Sequence, residues 1–264
     1  MSTENPQYPD CLSVVIPVYN EEASLAEVVR KLLVIPYLLE IIIVDDCSTD
    51  RSADVGRALA ESDPRVRFTQ QKKNSGKTAA LRAGFALTQG DIVIVQDADL
   101  EYDPSEIALV IRPILDGHAD VVFGSRFLVR RATRVLYFYH YVANKFLTFT
   151  SNLFTNLNMT DIETGYKAFR GDIIRNMVIV STGFGFEVEA TAKVAKLGCP
   201  IYEVPISYYG RTYEEGKKIG VKDGLLALWL VFRFNLFCGL SSAYRELPAP
   251  RKVPNGRQVV DTNV

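Results

Sequence analysis

Residues 91–106, DIVIVQDADLEYDPSE, constrain this chain more than any other stretch, because an apolar run gives way to a cluster of carboxylates within three residues. Ile92, Val93, Ile94 and Val95 are β-branched without polar interruption. That composition suits a strand buried on both faces of a sheet that helices cover. Gln96, Asp97, Asp99 and Glu101 follow at its carboxyl end, and in open α/β sheets ligands bind just beyond those ends. Carboxylates at i and i+2 of an extended chain project to one side, with Glu101 placed to join them, and such a set suits a hard divalent cation. Asp103 and Pro104 read differently, as an N-cap followed by proline at the first helical position. A calcium loop of the EF-hand kind is excluded, since Tyr102 stands where the sixth-position glycine is needed and Ala108 where the twelfth-position glutamate should be. Capping accounts for Asp103 but not for Asp97, Asp99 and Glu101, which leaves a metal–diphosphate site as their reading.

The chain has 264 residues, 48% of them hydrophobic and 23% charged, enough for one large domain or a domain with an appendage. A formal charge of −1 offers no support for a nucleic-acid partner, which usually demands a strong basic excess. Cys11, Cys47, Cys199 and Cys238 share no metal-type spacing, and MSTENPQYPD at the start is polar and proline-bearing. Reduced thiols and a cytosolic location are expected. With only His118 and His140, neither in a motif, a histidine-based nucleophilic triad is disfavoured.

Taken in order, residues 12–17 (LSVVIP) form a strand, and a helix is expected over residues 21–33, with Asn20 as its cap and two glutamates in its first turn. No glycine-rich turn separates them, which argues against a dinucleotide-binding dehydrogenase. Residues 40–44 (EIIIV) form a second strand running into Asp45 and Asp46, with a helix over residues 51–61. A short strand follows at residues 66–71, and a helix opens at Asn74-Ser75-Gly76-Lys77-Thr78 and runs to about residue 88. This is no Walker A loop, because Gln71 stands where its first glycine is required. Lys77 either reaches a ligand or is solvated, and the helix dipole disfavours it at this position. A helix over residues 104–115 and a strand over residues 120–123, ending in Gly124-Ser125-Arg126, complete a βαβαβαβαβ pattern. A mainly parallel sheet with helices on both faces follows.

Arg126, Arg130, Arg131 and Arg134 then crowd together ahead of an aromatic, amphipathic segment at residues 135–154. His140, Asn144 and Lys145 interrupt it, so it is no membrane span. It suits either the headgroup layer of an anionic membrane or simple core packing. Residues 159–170 (MTDIETGYKAFR) form a loop leading to a short strand, residues 186–197 a helix bearing Glu187 and Glu189, and residues 201–209 a further strand. Residues 225–240 are the most apolar segment, yet Arg233 and Asn235 lie inside it and it falls short of the ~20 residues a span requires. The expected organisation is a flexible N-terminus at residues 1–11, a catalytic domain at 12–220, an apolar or amphipathic C-terminal helix at 221–246 and a disordered proline-rich tail at 247–264.

VVIPVYNEE, IIIVDDCSTD, NSGKTAALRAGF and QDADLEYDPSE, in this order, resemble a family 2 glycosyltransferase with a GT-A fold, over about residues 12–220. GSRF, TDIETGYKAFR, FEVEATAKVAK and EVPISYYGR are most similar to polyprenyl-phosphate sugar transferases of the dolichyl-phosphate mannose or glucose synthase kind. The resemblance implies that Pro17, Tyr19 and Glu21 lie beside the nucleoside, Asp46 on the base, Asp97 and Ala98 on the nucleotide with Lys77 nearby, and Asp99 and Glu101 on Mg²⁺ or Mn²⁺. Many relatives carry glutamine at the position of Glu101. Arg126, Arg211 and Lys217 match basic positions for donor and acceptor phosphates, and arginine suits bidentate phosphate contacts. A lysine that some relatives carry near residues 182–184 is absent. Asp97, Asp99 and Asp161 are the implied catalytic carboxylates, Asp161 as an orienting group or base.

The implied reaction is an inverting transfer from a nucleotide-diphospho-sugar of the GDP-mannose or UDP-glucose type to a polyprenyl phosphate. An anionic acceptor needs no strong general base, in keeping with the shortage of histidine. Because a polyprenyl chain stays in the bilayer, peripheral contact with the cytosolic face of a membrane is expected. The alternative is a soluble relative acting on a sugar hydroxyl in glycan or polysaccharide synthesis, which needs a base.

Overall fold

The computed structural model describes residues 10–128, 137–210 and 221–249. Its strands β1 (Leu12–Val18), β2 (Leu38–Asp45), β3 (Val66–Gln70), β4 (Ile92–Val95), β5 (Val121–Ser125), β6 (Lys167–Arg170) and β7 (Ile201–Pro205) form one sheet in the order β3-β2-β1-β4-β6-β5-β7. All neighbours are parallel except β6, which runs antiparallel to both β4 and β5. The helices are α1 (Leu25–Leu32), α2 (Ser52–Ser62), α3 (Lys77–Phe85), α4 (Ile107–Leu115, after a 3-10 turn at Pro104–Glu106), α5 (Phe138–Thr155), α6 (Gly171–Asn176), α7 (Phe186–Leu197), α8 (Val221–Leu236) and α9 (Leu240–Ala243).

The uninterrupted apolar runs exist because each strand feeds two cores. Val14 and Ile16, Ile41 and Ile43, and Ile92 and Ile94 pack with α1 and α4 on one face. Val15, Ile42, Val44, Val93 and Val95 pack with α3 and α7 on the other. A period of two with both faces buried leaves no polar position to mark it. Successive crossovers build outward from β1 in both directions, to β2 and β3 on one side and to β4 on the other. The crevice at such a switch point, beyond the carboxyl ends of β1 and β4, is where ligands bind in this class of sheet.

Three expectations need correction. Helix α1 begins at Leu25, not Glu21, and Asn20 does not cap it. Asn20 takes a left-handed backbone (φ 56°) and its Oδ1 accepts from Thr49 N at 2.8 Å, while Glu22 Oε2 accepts from Arg51 N at 2.8 Å. Cross-bracing to the loop after β2 has won these polar groups from the helix end. The strand expected over residues 201–209 stops at Pro205, which has no N–H for a ladder, and resumes only as an isolated bridge from Tyr208 to Tyr102. The C-terminal apolar segment divides into α8 and the short α9. Residues 1–9, most of the expected tail, and Arg130, Arg131, Arg134, Arg211 and Lys217 lie outside the described residues.

The aromatic segment forms α5, and much of its surface faces outward: Tyr139 is 83% and Leu153 71% exposed, with Phe138, Phe146 and Phe149 also exposed. Leu147, Thr148 and Ser151 are its buried side. Helix α8 packs beside it, with the Phe154 and Phe232 rings 5.3 Å apart, and adds exposed Leu225, Trp229 and Leu236. Among the described residues, no helix is long and apolar enough to cross a membrane.

The inserted strand β6 ties both halves of the sheet through Phe169, which is fully buried and lies 6.2 Å from the rings of both Phe123 and Phe186. Phe169→Ala is expected to destabilise the fold by about 3–5 kcal/mol, read as a lowered denaturant midpoint at unchanged slope.

Candidate active site

A cavity of about 380 Å³ opens where the switch point predicts, over the carboxyl ends of β1, β2 and β4. Pro17 near the end of β1, Tyr19 and Glu21 just past it, and Asp46, which follows β2, line it. Asp46 is buried and accepts from Gln71 Nε2 at 3.0 Å, Ser75 N at 2.9 Å and Gly76 N at 2.7 Å. Three donors on about four lone-pair sites leave room for roughly one more. Asp46 therefore shapes the loop ahead of α3 as well as facing the cavity.

Lys77, the first residue of α3, turns into the cavity and not into solvent. Its Nζ lies 2.8 Å from Asp97 Oδ1 and 3.0 Å from Glu187 Oε1, in the first turn of α7. Burial opposes its charge, but the two carboxylates outweigh that and hold the ammonium well above its usual pKa. Glycines make room for this arrangement. A Cβ on Gly165 would stand 2.6 Å from Asp97 Oδ2 and 3.3 Å from Lys77 Nζ. Gly76 (φ 88°) and Gly183 (φ 58°) meet backbone to backbone, and Thr78 donates to Gly183 O from both its N–H (3.0 Å) and its Oγ1 (2.8 Å).

Asp97, Ala98, Asp99 and Glu101 follow β4 along the same wall. Glu101 Oε2 accepts from Tyr208 Oη at 2.9 Å, and Asp99 Oδ1 accepts from Glu101 N at 3.1 Å. Among the described residues no three His, Cys, Asp or Glu side chains converge as a ready-made metal cluster. An all-oxygen set of one or two carboxylates completed by substrate phosphates and water is how Mg²⁺ is usually held, and Asp99 and Glu101 fit that requirement.

Arg126, just past β5, lines the cavity and forks onto Asp161, Nε to Oδ2 at 2.6 Å and Nη2 to Oδ1 at 2.8 Å. Burial works against the Asp161 carboxylate, yet the Arg126 charge and hydrogen bonds hold its pKa below the ordinary value. Asp161 is fully buried behind Arg126 and is not among the cavity-lining residues. Such a carboxylate orients a guanidinium better than it takes a proton. Nη1 and one Nη2 hydrogen of Arg126 are not used on Asp161. Its guanidinium carbon also sits 5.2 Å over the Tyr208 ring, which packs on Tyr102, itself stacked on Tyr166 at 5.0 Å. Tyr102 Oη accepts from Gly165 N at 3.1 Å, and burial pushes its phenol up to about 12.

The cavity also holds groups to which the sequence assigns no site role: Glu163, Gly165, Gly183, Glu187 and Tyr208. Glu163 has a buried oxygen, Oε1, without a partner, and Glu187 has another, Oε2. Burial, with Glu187 adding to it, pushes the Glu163 carboxyl up to about 7. Lys167, fully buried nearby, donates to Ile162 O at 2.9 Å, and burial lowers its ammonium to about 8. The acidic TDIET stretch was the available signal. Its nearness to β4 is not written in local sequence.

Residues 13–178 match the family model described as glycosyl transferase family 2. Undecaprenyl-phosphate mannosyltransferase of Micrococcus luteus is 32% identical over 242 residues, covering 84% of this chain and 97% of the relative. Polyprenol monophosphomannose synthase of Mycolicibacterium smegmatis is 29% identical over 214 residues, covering 78% and 80%. Among solved structures, glucosyl-3-phosphoglycerate synthase from Mycobacterium tuberculosis, in complex with Mn²⁺ and UDP-glucose, superposes with a TM-score of 0.66 at 20% identity, covering 86% of this chain and 79% of that one. That likeness bears out the GT-A architecture.

Because the Glu163 carboxyl is raised from 4.5 to about 7 on folding, the folded chain holds that proton longer than the unfolded chain does. Its contribution to stability is full below pH 4.5 and is lost as pH rises through about 7. Glu163→Gln is expected to flatten the stability profile across this window, checked by urea unfolding at a series of pH values.

Proposed function

This chain belongs to glycosyl transferase family 2, and on that premise we propose that it moves a sugar, with inversion, from a nucleotide-diphospho-sugar to a polyprenyl phosphate. One observation carries the reading. A single cavity gathers the expected base-side residues Tyr19 and Asp46, the diphosphate-side acids Asp97, Asp99 and Glu101, and the basic Arg126, in a chain whose full-length relative is named an undecaprenyl-phosphate mannosyltransferase.

In this reading Tyr19 offers a flat apolar surface to the base, and the remaining acceptor site of Asp46 takes a base N–H. Asp99 and Glu101 would hold Mg²⁺ or Mn²⁺ together with the donor diphosphate, and such an ion neutralises charge on a departing nucleoside diphosphate when bound. Asp97 keeps the Lys77 ammonium against the same wall, a fixed positive charge where leaving-group charge develops. Arg126, oriented by Asp161, presents its unused N–H groups to a phosphate. Arg211 and Lys217, outside the described residues, complete the acceptor-phosphate set in this reading. The acceptor oxygen is already anionic, so no side chain must remove a proton from it.

The exposed aromatic and aliphatic surface of α5 and α8 supports peripheral contact with the membrane that holds the lipid. Tyr, Trp and Phe side chains of this kind favour the headgroup boundary. The cytosolic face is the proposed side, in keeping with four free cysteines.

Incubation of the full chain and Mn²⁺ with UDP-glucose, UDP-N-acetylglucosamine or GDP-mannose should release nucleoside diphosphate only when polyprenyl phosphate is present. Release stimulated instead by water-soluble sugars would favour a hydroxyl acceptor. Asp99→Ala is expected to lower transfer by at least about 100-fold, as loss of a group stabilising leaving-group charge does; undiminished transfer would remove Asp99 from the metal site. Replacing Tyr139, Phe149 and Leu153 together by serine should weaken sedimentation with anionic vesicles while leaving nucleotide binding intact.

A further inference from the structure

The donor cavity has more acid in it than its nucleotide end requires. Strand order fixes where each group stands along the rim: Asp46 follows β2, Tyr19 follows β1, Asp97 follows β4, and Glu163 precedes β6. Because β6 is antiparallel, the residues before it arrive at the same rim that the parallel strands reach at their carboxyl ends. β6 lies three places from β2 in the sheet, so the residues leading into it, Glu163 among them, reach the rim on the side of Asp97 away from Asp46. That is the order of parts in a nucleotide-diphospho-sugar: base, diphosphate, then sugar.

Glu163 and Glu187 both line the cavity, Glu187 beside the Lys77–Asp97 pair, and each has a buried oxygen with no hydrogen-bond partner. Glu187 is only 5% exposed, and its other oxygen is held by Lys77. Buried unpartnered acceptors are costly, so a pair of them lining a ligand cavity calls for donors from the ligand. A phosphate brings none. A sugar ring brings hydroxyl or amino hydrogens.

We propose that Glu163 and Glu187 form the subsite for the transferred sugar, accepting hydrogen bonds from its hydroxyl or amino groups through Glu163 Oε1 and Glu187 Oε2. The assignment rests on the donor reading given above. It makes this pair the part of the cavity that discriminates between donors carrying the same nucleotide. A site built around such acceptors rejects a sugar lacking the matching donor, because the acceptors are then left unpaired.

Glu163 is the residue to change, since Glu187 also holds Lys77. Titration calorimetry of the full chain with Mn²⁺ would use UDP, GDP, UDP-glucose, UDP-N-acetylglucosamine and GDP-mannose as probes. Glu163→Ala is expected to weaken the best-bound nucleotide sugar about fivefold or more, the worth of one buried hydrogen bond. Affinity for the parent nucleoside diphosphate should stay within about twofold, which also shows that the variant is folded. Glu163→Gln keeps one acceptor and should recover part of the loss. Equal weakening of sugar and parent nucleotide, or no weakening of either, would overturn the subsite. So would unchanged affinity with a loss confined to turnover, which marks Glu163 as a proton acceptor. A wild-type chain that binds none of the five probes would overturn the donor reading, and the subsite with it.

Discussion

The Lys77 ammonium, clasped between Asp97 and Glu187, is the interaction on which the site depends. It joins the end of β4, the start of α3 and the first turn of α7, three elements that share no local sequence. A charge buried to this degree is tolerated only when paired, and removing one partner of such a pair typically costs about 3–5 kcal/mol. The position is unfavourable for a lysine by the helix dipole alone. It is held there by two carboxylates, and Gly165 leaves it room, since a Cβ there would stand 3.3 Å from its Nζ.

Around that ion group, charges alternate. Arg126 and Lys167 answer Asp161 and Glu163, while Asp99 and Glu101 line the cavity just past β4. The acids outnumber the bases, so the cavity attracts cations and hydrogen-bond donors and resists bare anions. A nucleotide diphosphate suits such a place when it arrives with a divalent ion, and the same imbalance that would hold the ion favours a neutral, hydroxyl-rich group deeper in.

Much of this was legible in the sequence and the rest was not, for identifiable reasons. Strand β4 and its acids could be read because a fully apolar run followed by carboxylates has few other meanings, and the helix over residues 186–197 has the boundaries expected of it. The residues expected at a donor site, from Pro17 to Glu101, do line one cavity. Asn20 misled because a polar residue before a periodic segment looks like a cap, whereas Thr49 competed for its side chain. Lys77 was ambiguous because a first-turn lysine has no local reason to be buried. Glu163 and Tyr208 were invisible as site residues because only the insertion of β6 between β4 and β5, and the bridge from Tyr208 to Tyr102, bring them in.

The Arg126–Asp161 pair stands at the neck of the excursion that carries α5: Arg126 immediately follows β5, and Asp161 precedes β6 by a few residues. Ser125 and Thr160 hydroxyls meet at 2.6 Å beside it, and the Glu203 carboxylate accepts from Thr160 N at 2.9 Å. The inner side of α5 is fixed as well, with Leu147 in the same core as Phe123 and Phe169 and the Lys145 ammonium donating to Thr160 O at 3.2 Å. Its outer side carries no such duty, and Phe138, Tyr139, Phe149 and Leu153 are exposed. Those outward residues can change without disturbing the donor cavity, so that one catalytic body can wear many surfaces.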